Sequence, residues 1–221
     1  MLLIRLSLSS WEFPSFYKTA IVKPLLKKRT LDHNDLKNYR TVSNLQFMSK
    51  ILEKVVLSQL VSHLNSFSLF SNVQSAYCHR HSTETTLLKV VNDFLSALDG
   101  VNIAVLTFLD FSAAIDTIDH DILLHRLQHV FGIHDTAFLW FRSYLAKRTQ
   151  IVSANGKHSS PVDLCCGVPQ GSVLGPVLFI LYTQPLSSVV DHHRVSRQLY
   201  ADDTQITNLA IQLKLKLPSK A

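Results

Sequence analysis

The sequence predicts an α+β domain, and three observations carry that prediction. Met48, Ile51, Leu52, Val55, Val56, Leu60 and Leu64 recur at the spacing of an amphipathic helix. Residues 101–109 form a run rich in apolar and β-branched side chains, the composition of a strand. Two hairpins are marked by their turns, one at Asn155-Gly156 and one between Tyr200 and Thr204. The resulting order is helices, strand, helices, hairpin, helix, hairpin, which suits an α+β arrangement.

The N-terminal ten residues are apolar with one Arg, but the run is short and lacks a small-residue cleavage site, so no signal peptide is expected. Thr19-Ala20-Ile21-Val22 has strand composition and leads into a basic patch, Lys23-Pro24-Leu25-Leu26-Lys27-Lys28-Arg29. Polar residues follow as far as Tyr39-Arg40. Ser43 or Asn44 is then placed to cap the helix that carries Met48 to Leu64. A second helix is expected from Ser82, with Leu87, Leu88, Val91, Phe94, Leu95 and Leu98 on one face.

The strand at 101–109 is expected to be buried and to end at Asp110. Helical patterns at 121–130 and 136–145 are separated by Gly132, and Gln150-Ile151-Val152-Ser153-Ala154 enters the Asn155-Gly156 hairpin. Gly167-Val168-Pro169-Gln170-Gly171-Ser172 is a loop whose last residue can cap the apolar helix after it. That apolar run, 173–182, is too short to span a bilayer. The aromatics Phe138, Trp140, Phe141 and Tyr144 are assigned to the core.

A chain of 221 residues suffices for one large domain or two small ones, and no linker or repeat divides it. Its formal charge of +6 is compatible with a polyanionic partner. Cys78, Cys165 and Cys166 are an odd set with two neighbours, a poor disulfide framework, so a reducing intracellular compartment, nucleus or cytoplasm, is expected. Cys165 and Cys166 are assigned to a strand, one inward and one outward. Cys78-His79-Arg80-His81 has no standard zinc-finger spacing, and His192-His193 is assigned to an exposed loop.

The densest chemical signal is Tyr200-Ala201-Asp202-Asp203, two adjacent acids at the tip of a hairpin. Adjacent carboxylates repel, and a hard divalent cation such as Mg²⁺, which prefers oxygen ligands, relieves that repulsion. Asp110, at the end of the upstream strand, supplies a third acid, and the carbonyl of Phe111 another oxygen. Two ions held by Asp110 and Asp202 would suit a phosphoryl transfer.

The motifs resemble a known family. Phe108-Leu109-Asp110-Phe111-Ser112-Ala113-Ala114-Ile115-Asp116-Thr117-Ile118-Asp119-His120 looks like the first palm motif of reverse transcriptases from non-LTR (LINE-type) retrotransposons. Gly167-Val168-Pro169-Gln170-Gly171-Ser172-Val173-Leu174-Gly175-Pro176 is similar to the next motif, and Tyr200-Ala201-Asp202-Asp203 to the catalytic hairpin. Asn38-Tyr39-Arg40-Thr41-Val42-Ser43, Gln74-Ser75-Ala76-Tyr77 and His81-Ser82-Thr83-Glu84-Thr85 resemble the fingers segments.

The resemblance covers residues 13–205 and implies a right-hand polymerase, with fingers at about 13–100 and palm at about 101–205, an antiparallel palm sheet flanked by helices. The implied reaction joins a deoxynucleoside triphosphate to a DNA primer on an RNA template, with two Mg²⁺ ions, or Mn²⁺. Asp110, Asp202 and Asp203 would be catalytic, and Asp110, Phe111 and Asp202 would hold metal. Lys27, Lys28 and Arg40 would grip the triphosphate, and Ile115, Gln170 and Gly171 would line the nucleotide. No membrane partner is implied.

The chain departs from the family pattern at three points. Ile115 stands where the family carries a bulky aromatic that excludes a 2′-hydroxyl, so weaker selection against ribonucleotides is expected. Thr41 stands in place of a common Pro, and Cys78 near a common basic residue. Beyond Gln205 the resemblance fades into a divergent tail, 206–221, and the thumb is expected to be absent. Since phosphate contacts dominate nucleic-acid affinity, weak and salt-sensitive binding is expected, with low or no activity. The alternative expectation is an inactive retroelement remnant that at most binds nucleic acid. A third, an RNA-dependent RNA polymerase, has only Ile115 in its favour.

Overall fold

The computed structural model of the chain describes residues 2–71, 74–76, 81–99, 102–110, 114–154, 156–192, 196–200 and 203–211. In chain order the elements are α1 (Leu2–Ser10), β1 (Thr19–Leu26), β2 (Tyr39–Asn44), α2 (Phe47–Ser66), α3 (Thr83–Asp99), β3 (Asn102–Asp110), α4 (His120–His129) and α5 (Asp135–Leu145). They continue with β4 (Thr149–Ala154), β5 (Lys157–His158), β6 (Val162–Asp163), α6 (Gly175–Thr183), α7 (Pro185–His192), β7 (Ser196–Tyr200) and β8 (Asp203–Ile211). The α+β class is as the sequence predicts. The chain folds into two compact units, each made of two separated segments: Met1–Phe70 with Ala113–Tyr182, and Ser71–Ser112 with Thr183–Ala221.

The first unit has a five-stranded sheet in the order β2-β1-β4-β5, with β6 also on β4. β1 runs antiparallel to β2 and parallel to β4. Pro24 is tolerated in β1 because β4 pairs only with Thr19 to Val22, leaving Pro24 bordered by β2 alone. The core is helical. α2 contributes Leu52, Val56, Leu60 and Leu64; α4 contributes Leu123 and Leu127; α5 contributes Trp140, Phe141, Tyr144 and Leu145. α6 is apolar on every side, and Val177 to Leu181 are all buried, as such a helix requires.

Asp119 caps α4, its carboxylate accepting from the Ile122 amide at 2.9 Å. α1, which its sequence did not announce as a helix, docks through Ser7, whose hydroxyl accepts from Trp140 Nε1 at 3.1 Å.

The second unit has a three-stranded antiparallel sheet in the order β3-β8-β7. On the other side of β7, Gln74 makes a parallel bridge to Leu199, and the Ser75 amide donates to the Leu199 carbonyl at 2.9 Å. α3 begins with a reciprocal cap: Thr85 N donates to Ser82 Oγ at 3.2 Å and Ser82 N to Thr85 Oγ1 at 2.9 Å.

Four local expectations are corrected. Ser43 and Asn44 lie in β2 opposite Val22 and Ile21, so α2 starts instead after Gln46, which makes no side-chain cap bond. Pairing with β1 outweighs the local capping preference. The buried face of α3 carries Thr86 and Val90, while Leu87, Leu88, Val91 and Leu95 are exposed. Among the described residues β3 is an edge strand, and Val105, Phe108 and Leu109 are exposed; β-branched composition signals a strand but not how many layers cover it. Cys165 and Cys166 lie beyond β6, just ahead of Gly167, and both are exposed. His192 ends α7 and is exposed, whereas Cys78, His79, Arg80 and His193 are outside the described residues. Among the described residues no helix is long and apolar enough to cross a membrane.

Candidate active site

In the second unit, β3 and β8 pair over their full lengths, and the last pair in the register is Asp110 opposite Asp203. Asp203 is also the partner of Tyr200 in β7, so β7 and β8 are joined by two residues, Ala201 and Asp202. Asp202 and Phe111 lie outside the described residues. Directly opposed residues of an antiparallel pair have Cα atoms about 4.5–5.5 Å apart. Like charges placed directly opposite are destabilising, and Asp203 is exposed, at the end of its strand. An oxygen-only donor set at one end of a sheet fits a hard divalent cation.

In the first unit, the loop between β6 and α6 is bonded to two other segments. Gly167 N donates to Ile118 O at 2.7 Å and Val168 N to Ile115 O at 3.0 Å. The Gly167 carbonyl accepts from His120 Nε2 at 2.7 Å, which fixes the imidazole proton on that nitrogen. Further along, Ser43 N in β2 donates to the Gln170 carbonyl at 3.2 Å. Gly171 has φ of +98°, and a Cβ there would stand 3.1 Å from the Ser43 carbonyl oxygen.

Ile115, Gln170 and Gly171 are thus gathered around one loop, with β2 bonded beside it. Ile115 is half-buried, and its Cγ2 would lie 3.5 Å from a Cβ at Gly175. Arg40 pairs with Leu25 across β1 and β2 and is exposed. Lys27, whose amide donates to Asn38 O at 2.8 Å, and Lys28 follow directly after β1, and both are exposed. The three cations therefore share one end of the β1–β2 pair.

Two buried charged residues of this unit, Glu53 and Arg148, are not announced by the sequence. Glu53, on α2, is fully buried. Its Oε1 accepts from Ser49 Oγ at 2.9 Å, and its Oε2 accepts from Ser172 Oγ at 2.7 Å and Val173 N at 2.7 Å. The Ser172 proton goes to Glu53, so the Tyr144 hydroxyl, 2.7 Å away, donates to Ser172 Oγ. Burial first, and then the charge of Glu53, push the Tyr144 phenol well above its ordinary pKa, which keeps it a donor. Ser172 Oγ also accepts from Leu174 N and Gly175 N, capping α6 as its sequence predicts.

Arg148 is also fully buried, its guanidinium 4.6 Å over the Tyr144 ring and 5.3 Å over Phe13. Nη1 donates to the Tyr144 carbonyl at 2.8 Å, while Nε and Nη2 find no hydrogen-bond partner among the described residues. A guanidinium, weakly hydrated and flat, tolerates such a place better than an ammonium. Burial first, and then Arg148, lower the Lys18 ammonium below its ordinary range. The one signal for Glu53 in the sequence is an acid at i+4 from Ser49 and i−3 from Val56, a position the apolar stripe should occupy.

Comparison with solved structures shows what class of fold this is. Apo telomerase from Candida tropicalis, truncated from its C-terminal domain, superposes with a TM-score of 0.63 at 13% identity, over 88% of this chain and 44% of that chain. At that identity the likeness is of fold, that of polymerases with fingers and palm. The sequence matches the family described as reverse transcriptase (RNA-dependent DNA polymerase) over residues 26–212, and the chain belongs to that family.

The chain is 32% identical over 199 residues to the RNA-directed DNA polymerase from mobile element jockey of Drosophila melanogaster, covering 88% of this chain and 21% of that protein. It is 28% identical over 196 residues to the probable RNA-directed DNA polymerase from transposon BS of the same organism, covering 86% of this chain and 21% of that one. The chain therefore spans 21% of the length of these curated relatives. They bear out the resemblance to non-LTR retrotransposon enzymes that the motifs carry. Reverse transcriptases as a family use divalent metal ions and act on a nucleic-acid template with nucleoside triphosphates.

Proposed function

We infer that this chain is the nucleotidyl-transfer domain of an RNA-directed DNA polymerase from a non-LTR retrotransposon. The observation that carries the reading is the register pair Asp110–Asp203, with Asp202 as the neighbouring acid. The primer 3′-oxygen attacks the α-phosphorus of a deoxynucleoside triphosphate. A new P–O bond forms, the bond to the β-phosphate bridging oxygen breaks, and pyrophosphate leaves.

Asp110 and Asp202 are the residues that would hold two Mg²⁺ ions, with the Phe111 carbonyl as an added oxygen ligand and Asp203 as a third acid beside the primer end. Bound there, the ions would stabilise charge on the attacking and leaving oxygens. Arg40 would hold a phosphate through its two-pronged guanidinium, and Lys27 or Lys28 as a point charge. Gln170 and Gly171 would border the incoming nucleotide, the glycine allowing close approach of the backbone. The RNA template and DNA primer would be held through their phosphates, in keeping with the formal charge of +6.

The test is extension of a DNA primer on an RNA template by the full chain with one deoxynucleotide and Mg²⁺. Extension is expected to stop when EDTA removes the metal and to resume with Mn²⁺; extension that persists in EDTA would refute the metal-dependent mechanism. Binding of the template–primer without any extension would replace this reading with that of a non-catalytic nucleic-acid binder.

Ile115 bears on sugar selection. Ile115→Tyr, which adds the ring the family carries there, is expected to raise the preference for deoxynucleotides over ribonucleotides about tenfold, within the 1–3 kcal/mol range of a shaped pocket. Competing incorporation of the two sugars measures it. An unchanged ratio would place Ile115 away from the sugar.

A further inference from the structure

We propose that Glu53 is a positioning residue for nucleotide binding, its carboxylate setting where Gln170 and Gly171 lie. The proposal rests on the polymerase reading above and adds to it a residue that touches neither substrate nor metal. Glu53 is wholly buried, and a buried carboxylate is costly unless its lone pairs are filled. Its partners are hydroxyls and main-chain amides: Ser49 Oγ on one oxygen, and Ser172 Oγ with the Val173 and Leu174 amides on the other, at 2.7, 2.7 and 3.4 Å. Hydrogen bonds to an ionised acceptor are short and strong, and these amides sit where α6 begins, the end of a helix that favours negative charge.

The consequence reaches the nucleotide loop because Gln170 and Gly171 lie immediately before Ser172. Ser172 N donates to Pro169 O at 2.9 Å, closing a turn around both residues. On the far side, the Ser43 amide of β2 holds the Gln170 carbonyl. The two residues are therefore held between β2 and a carboxylate on α2, and the Tyr144 hydroxyl backs Ser172 from behind. Without Glu53 the Val173 amide and the Ser172 hydroxyl lose their acceptor, and on that side of Gln170 and Gly171 only the Tyr144 hydroxyl still holds Ser172. The chemistry of the acids is untouched. The loss falls on holding the deoxynucleotide, not on the transfer step.

The experiment compares the wild-type chain with Glu53→Gln, which keeps the size and one acceptor, and Glu53→Ala. Glu53→Gln is expected to raise KM for the deoxynucleotide about tenfold with kcat within about threefold, the pattern of lost binding and not of lost transition-state contacts. Hydrogen exchange is expected to quicken at the Val173 and Leu174 amides in both variants while α4 and α5 keep their protection. Wild-type KM with loosened amides would make Glu53 a structural cap only and overturn the proposal, as would unchanged exchange at Val173. A fall in kcat alone would also overturn it. A wild-type chain that neither binds a fluorescent deoxynucleotide nor extends a primer refutes the polymerase reading, and the exchange measurement then decides by itself whether Glu53 holds the loop.

Discussion

Gly167→Ala is expected to destabilise the chain by about 3 kcal/mol or more, among the largest effects a single methyl group can have. Two causes add. Gly167 has φ of +77°, in the left-handed region where a non-glycine residue costs about 1–2 kcal/mol. A Cβ there would also stand 2.5 Å from the carbonyl oxygen of Asp116 and 2.7 and 2.8 Å from its C and Cα. These are backbone atoms, and no side chain can swing away to make room.

Relief requires the loop to separate from residues 115–118, which breaks the bonds from Gly167 N to Ile118 O, from Val168 N to Ile115 O and from His120 to Gly167 O. The control is Gly156→Ala: φ is +75°, but no atom of the described residues lies within 4 Å of the new Cβ. That change is expected to cost about 1 kcal/mol, the backbone strain alone. Urea unfolding of the two variants separates the causes. Equal losses would mean that the close approach of Gly167 to Asp116 adds nothing to the backbone strain.

Asp110→Asn is expected to lower single-nucleotide incorporation by about a thousandfold or more, which corresponds to roughly 4 kcal/mol of barrier. The carboxylate is assigned as a shared ligand, and an amide carries neither its charge nor its affinity for a hard cation. Asp203→Asn is expected to cost about tenfold, since the proposal puts this acid beside the primer end and does not make it a shared ligand. Stability should move the other way. With divalent ions removed, each variant is expected to be slightly more stable than the wild type, by a few tenths of a kcal/mol, because one of two acids at paired register positions of β3 and β8 is gone. Incorporation assays and melting curves in EDTA read both signs. A loss of stability in the absence of metal would mark these acids as structural and sink the assignment.

The motifs of the candidate site were legible because each is local. An acid at the end of a β-branched run, two adjacent acids at Asp202-Asp203 and a serine ahead of an apolar helix all declare themselves within a few residues. Other features were hidden for an equally physical reason. β2 is polar apart from Tyr39 and Val42 and becomes a strand because β1 offers it a partner. Cys165 and Cys166 show no burial pattern because Gly167 turns the chain out of the sheet direction. Glu53 and Arg148 belong to residue types that almost always face water, and the place of Glu53 on the apolar stripe of α2 is the one local sign against that expectation.

By itself, then, the sequence determined the helices and strands that rest on periodicity, the Ser172 cap, the order of the acidic and glycine-rich motifs, and through them the family. Contiguous residues suffice for these because backbone preference and side-chain spacing act over one or two turns. Only the tertiary structure decided that Asp110 faces Asp203, that Gly167 lies against Asp116, and that a buried carboxylate on α2 holds the loop bearing Gln170 and Gly171. Each of those is a pairing between segments far apart in the chain. Its energy depends on which donors, acceptors and neighbours arrive from elsewhere, and no local pattern encodes that.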